Sequence, residues 1–78
     1  MKKAWLVRYD GTDGICAAQT RGEALFHAIA NLRDLGSRAS VHNTTARRAP
    51  DFDQWAELDS TGVCWDANAL PRNTARTA

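Results

Sequence analysis

A long apolar run is missing from this sequence. After Met1-Lys2-Lys3 the segment Ala4 to Val7 stops at Arg8, far short of a signal-peptide core or of the roughly 20 residues that a membrane helix needs. Export and membrane insertion are therefore not expected, and the expected location is cytoplasmic. Cysteine is scarce as well. Cys16 and Cys64 are the only two, too few for the disulfide-dense scaffolds with which small secreted proteins offset a small core. Paired, they would close a long loop and stabilise the fold by about 4 kcal/mol in the chain-entropy account; the plainer reading is two buried strand thiols.

Signatures of catalysis and of cofactor binding are equally sparse. Cys16, Cys64, Ser37, Ser40 and Ser60 are candidate nucleophiles and His27 and His42 candidate bases, but no nucleophile elbow or activating context surrounds them. Cys16, His27, His42 and Cys64 make a Cys2His2 donor set, yet their separations of 11, 15 and 22 residues lack the close cysteine pair of structural zinc sites. His27 reads as a solvated helix residue and His42 as a polar residue on a strand face. The carboxylate pairs Asp10/Asp13 and Asp51/Asp53 have turn and capping tasks, and no phosphate-cradling glycine loop accompanies them. The expectation is a non-enzymatic chain with no metal and no cofactor.

What is present describes one small folded domain. Seventy-eight residues leave room for a single core, and 44% hydrophobic with 24% charged residues lies well away from the composition of disordered chains. Net charge is +1 but unevenly spread: residues 1–50 carry eight Lys/Arg against four acids, and residues 51–78 two against five. Such asymmetry orients a domain toward a charged partner or draws its own two parts together.

Lys3 to Tyr9 alternates Trp5, Val7 and Tyr9 with Leu6 and Arg8, the period of a strand. Two Asp-Gly steps in Asp10–Gly14 predict a turn, and Ile15 to Ala18 resumes as the second arm of a hairpin. Thr20-Arg-Gly-Glu23 is a capping box opening a helix over 20–35, in which Ala24, Leu25, Ala28, Ile29, Leu32 and Leu35 form one apolar stripe and Gly36 supplies a left-handed stop. Arg38 to His42 alternates weakly and reads as a third strand, followed by a polar connector or strand extension up to Pro50. Asp51 with Gln54 resembles a second N-cap, predicting a short helix that packs Phe52 or Trp55 and Leu58 on the sheet. Val63-Cys64-Trp65 reads as a brief edge strand or an apolar anchor. The expected architecture is α+β: a ββαβ core with an antiparallel hairpin, one long helix on the sheet and a short second helix, forming a single domain over 1–67, with 68–78 as a frayed tail.

Ala4-Trp-Leu-Val7, the turn, Ala18-Gln-Thr-Arg-Gly-Glu-Ala24, the polar strand and Arg48-Ala-Pro-Asp-Phe-Asp53 together resemble a group of small uncharacterised proteins of phages and prophages. The resemblance spans about residues 3–55, and it implies a role that engages a host or phage macromolecule rather than catalysis.

Two candidate surfaces follow. Phe26 lies outside the apolar stripe on the helical wheel, beside Ala30 and Arg33, and an aromatic-Ala-Arg patch on a rigid helix suits a protein interface or self-association. Its plainer alternative is packing beneath Val63 to Trp65. Arg47 and Arg48, with Arg38 and His42 nearby, make the strongest positive feature, able to meet nucleic-acid phosphates beside an exposed aromatic ring; the acids Asp51, Asp53, Glu57 and Asp59 oppose it, and Trp5, Trp55 and Trp65 read as core. The leading expectation is a non-enzymatic protein-binding module, a phage accessory or inhibitor protein in which Arg47 and Arg48 orient approach. Nucleic-acid binding through Arg38, Arg47 and Arg48 is the alternative.

Overall fold

The structure, a computed structural model, describes residues 1–59, 61 and 64–73. Strand β1 (Lys3–Tyr9) runs antiparallel to β2 (Thr12–Ala18) in the register Tyr9↔Thr12 to Lys3↔Ala18. The first Asp-Gly step alone makes the turn: Asp10 and Gly11 have φ of 50° and 75°, the two positive values of a type I′ turn, whose twist matches that of the flanking strands. The second step falls inside β2, so Gly14 is a strand residue opposite Val7 and Asp13 pairs with Arg8 through two bonds of 2.6 and 2.9 Å.

Helix α1 (Arg21–Asp34) starts where the capping box placed it, with the Glu23 N–H donating to the Thr20 hydroxyl. It ends in a Schellman motif. Gly36, at φ 87°, donates to the Arg33 carbonyl and Ser37 to that of Leu32, which satisfies carbonyls left open at a helix end.

The third strand is displaced from its expected place. Residues 38–43 form a loop, and β3 is Thr44–Arg48, antiparallel to the free edge of β1, so that the sheet order is β2-β1-β3. Side chains within 37–43 compete with the ladder for its backbone groups. The Asn43 carboxamide accepts from the Ser40 N–H and donates to the Arg38 carbonyl, while the Ser37 and Ser40 hydroxyls accept from Ala39 and His42. His42 thus lies in an exposed turn, not on a strand face.

Both sheet faces are covered. On one, Val7, Cys16, Ala18 and Ala46 meet Ala24 and Ala28 of α1, with Trp5 and Leu25 packed alongside. On the other, Ala4, Ile15 and Ala17 meet Phe52 and Ala56, flanked by Leu6, Trp55, Ala67 and Leu70. This second layer consists of a 3-10 turn (Pro50–Phe52), helix α2 (Asp53–Leu58) and a further turn (Ala67–Ala69). Among the described residues, eight of the twelve buried apolar ones are alanine, so the layers approach closely while each residue removes little apolar area from water.

Several expectations for this half give way to tertiary contacts. Asp51 caps no helix; it sits inside the 3-10 turn and pairs with Arg72 at 3.0 Å. Leu58 is exposed, because Phe52 and Ala56 occupy the inward side of the short helix. Leu35, the last residue of the α1 stripe, is likewise exposed, since it serves as the C-cap beyond the sheet contact. Residues 68–73, expected to fray, are docked: Asn73 donates to the Asp51 and Pro50 carbonyls and accepts from the Gln54 N–H. The remainder of that tail, 74–78, lies outside the described residues, as do Ser60, Gly62 and Val63.

Asp53 joins the start of β1, the end of β3 and α2. One carboxylate oxygen accepts from the Ala4 N–H at 2.8 Å and from Arg48 at 2.9 Å, the other from Arg48 at 2.6 Å. The Arg48 hydrogen bonds, then the Ala4 N–H, hold its carboxyl below the ordinary value of 3.8 against the opposing effect of burial. The Arg8 hydrogen bonds likewise lower Asp13. A depressed folded-state value means that this stabilisation is complete above the unfolded pKa and is lost as pH falls through the folded one. The melting temperature should therefore be level near neutral pH and decline below about pH 4. Asp53→Asn should flatten that decline and cost about 1–2 kcal/mol at pH 7, as read by thermal melts across pH; an equally steep decline in the variant would remove Asp53 as its source.

Candidate functional site

The positively charged residues do not converge. Arg47 and Arg48 are successive strand residues and point to opposite faces. Arg48 is engaged with Asp53, with the Ala4 carbonyl at 2.9 Å, and with the Trp5 ring, 5.6 Å from its centroid. Arg47 lines a shallow depression with Leu6, Arg8 and Thr45 on the other face. Arg38 belongs to the loop near Tyr9, whose hydroxyl accepts the Arg38 N–H, while Arg48 is registered with Trp5, about 13 Å away along β1.

The outer face of α1 is open. Phe26 is 71% exposed, so the alternative of packing beneath Trp65 is not realised. The His27 ring meets it edge-on at 6.1 Å, and His27 itself lies 3.5 Å from the Glu23 carboxylate one turn earlier. Ala30 and Arg33 are exposed on the same stripe. Arg33 has a second task, because its Nε donates to the Ala39 carbonyl at 2.9 Å and pins the 38–43 loop to the helix.

A third feature lies at Cys64 and Trp65, where the sequence left open a brief edge strand or an apolar anchor. Trp65 forms one antiparallel bridge to the outer edge of β2, exchanging both backbone hydrogen bonds with Ile15 at 2.7 and 2.9 Å. Cys16 and Cys64 then stand opposite one another at the adjoining non-hydrogen-bonded position, with Cα atoms 4.6 Å apart, and form a disulfide. That spacing is the one such positions impose. The cysteines are therefore paired rather than two separate thiols, and neither sulfur is a free nucleophile or thiolate ligand.

Between this bridged segment, the hairpin end of the sheet and the C-terminal half of α1 runs a cleft of about 440 Å³. Val7, Tyr9, Gly14 and Thr44 line its sheet side, Ala28, Leu32 and Leu35 its helix side, and Cys64 and Trp65 its far wall. Trp65, expected in the core, remains 43% exposed there. Asp13, Asp34 and Asp66 also line the cleft, together with Arg8. Gly14, assigned to the turn in the sequence, lies inside β2, where a glycine permits close approach of another backbone: a Cβ at Gly14 would stand 3.4 Å from the Trp65 carbonyl oxygen. Comparisons with family models, curated proteins and solved structures found no match to this chain. Among the described residues no helix is long and apolar enough to cross a membrane.

Proposed function

We propose that this chain is a non-enzymatic protein-binding module that presents the outer face of α1, with Phe26 as the apolar anchor, Ala30 as the flat ground beside it and Arg33 at the charged edge. The observation that carries this reading is the exposure of Phe26 in the middle of a 14-residue helix that is capped at both ends. A large aromatic held in water on a rigid element loses little entropy on docking and gains its full burial there. Nucleic-acid binding ranks second because Arg48 is already neutralised by Asp53 and the arginines are spread over both faces.

The non-enzymatic reading draws on the occupation of the candidate groups. Both cysteines are in the disulfide, Ser37 and Ser40 accept backbone N–H groups of their own loop, and His42 lies in an exposed turn. The resemblance to phage and prophage proteins suggests a host or phage protein as the target, met in the cytoplasm. Reducing cytosol keeps most thiols unpaired, so this location carries a corollary: there the fold works with an open disulfide, or the pair persists because the fold protects it.

Phe26→Asp is the test. The variant should lose its partner in affinity capture from host lysate and in reconstitution with that purified protein. Its melting temperature should stay within a few degrees of the native chain, as expected of a surface position. Sedimentation equilibrium distinguishes self-association from a foreign partner. A partner retained by Phe26→Asp, or a large drop in its melting temperature, would overturn the assignment.

A further inference from the structure

We propose that the cleft between the C-terminal half of α1 and the hairpin end of the sheet binds a small apolar amine: a ring or short alkyl chain carrying one positively charged nitrogen. The volume of about 440 Å³ lies within the range of small-ligand sites, and an apolar cavity of about 150 Å³ already admits benzene. The space exists because short side chains face one another across it, Gly14 and Thr44 from the sheet and Ala28 from the helix. Val7, Leu32, Leu35 and Trp65 supply apolar surface, of which Leu35 and Trp65 are 84% and 43% exposed. An apolar ligand would remove both from solvent.

The charge of the ligand follows from the lining. Asp13 is neutralised by Arg8, which leaves Asp34 and Asp66 as the remaining charges among the described residues that line the cleft. Asp66 accepts the Asn68 N–H with one carboxylate oxygen. A cationic nitrogen is favoured beside two carboxylates and a carboxylate ligand is repelled. The indole of Trp65 adds a second preference of the same sign, since an aromatic face attracts ammonium groups.

Phenethylamine, 2-phenylethanol and 3-phenylpropanoate present one ring with a positive, neutral or negative tail. Titrated into the oxidised chain and followed by amide NMR shifts, the amine should move Gly14, Leu32, Leu35, Thr44 and Trp65. It should bind roughly five- to tenfold more tightly than the alcohol, with the carboxylate weakest. Gly14→Ala adds one methyl group on the cleft side, at contact distance from the Trp65 carbonyl oxygen (3.4 Å) and the Val7 side chain (3.7 Å), and should weaken these shifts. If that variant does not fold, Asp34→Asn combined with Asp66→Asn serves instead, weakening the amine while leaving the alcohol unaffected. Shifts that avoid the cleft, no shifts at all, or equal affinity for amine and carboxylate would each overturn the proposal.

Discussion

Reduction of the Cys16–Cys64 disulfide is expected to lower the melting temperature by about 20 °C. The two cysteines are 48 residues apart, and freeing a loop of that length returns about 4 kcal/mol of chain entropy to the unfolded state in the loop-closure account. Among the described residues, one bridge at Trp65 supplies the backbone pairing that joins the 64–66 segment to β2 beside the disulfide. The buried core is mostly alanine, and a domain of this size commonly has only 5–10 kcal/mol in total, so the cross-link represents a large share. Thermal melts with and without reductant measure the effect, and the Cys16→Ala, Cys64→Ala double variant should melt at the reduced temperature regardless of reductant. Identical melts for the native chain under both conditions, or two titratable thiols in the oxidised protein, would show that the pair does not form.

Replacing Phe52 by Ala should cost about 3–4 kcal/mol. Phe52 is 5% exposed between the sheet and α2, with the Arg72 guanidinium 5.2 Å from its ring centroid, and a vacated aromatic site in a close-packed layer collapses only partly. Phe26 provides the control within the same chain. Phe26→Ala removes an equal side chain from water rather than from the interior and should change stability by about 0.5 kcal/mol or less. Chemical denaturation of the two variants in parallel measures the contrast; similar losses at both positions would mean that Phe26 is also packed.

Recognition of elements was good where local chemistry dominates. The capping box, the helical stripe and Gly36 marked α1 to within a residue at each end, because capping is settled among neighbours in the chain. The Asp-Gly step marked the hairpin for the same reason. The 38–42 segment misled, because its alternation suits a strand equally well as long as the hydrogen bonds of Ser40 and Asn43 are ignored. Asp51 misled as well, since the same side chain that resembles a cap is within reach of Arg72, 21 residues away.

The candidate surfaces divide along the same line. Phe26, Ala30 and Arg33 were visible as an exposed stripe because helical periodicity alone orders them. The second task of Arg33, the engagement of Arg48 by Asp53 and the cleft depend on residues brought together from distant parts of the chain, so spacing carried no sign of them.

By itself, the amino-acid sequence determined the hairpin, the long helix with its inward stripe, and the outward position of Phe26, since turn chemistry, capping and periodicity act over a few residues. Tertiary structure decided which edge of β1 the third strand joined, that α2 covers the face opposite α1, that Cys16 meets Cys64, and that a cleft opens beside Trp65. These are long-range choices made by competition among surfaces for burial, and that competition has no local signature.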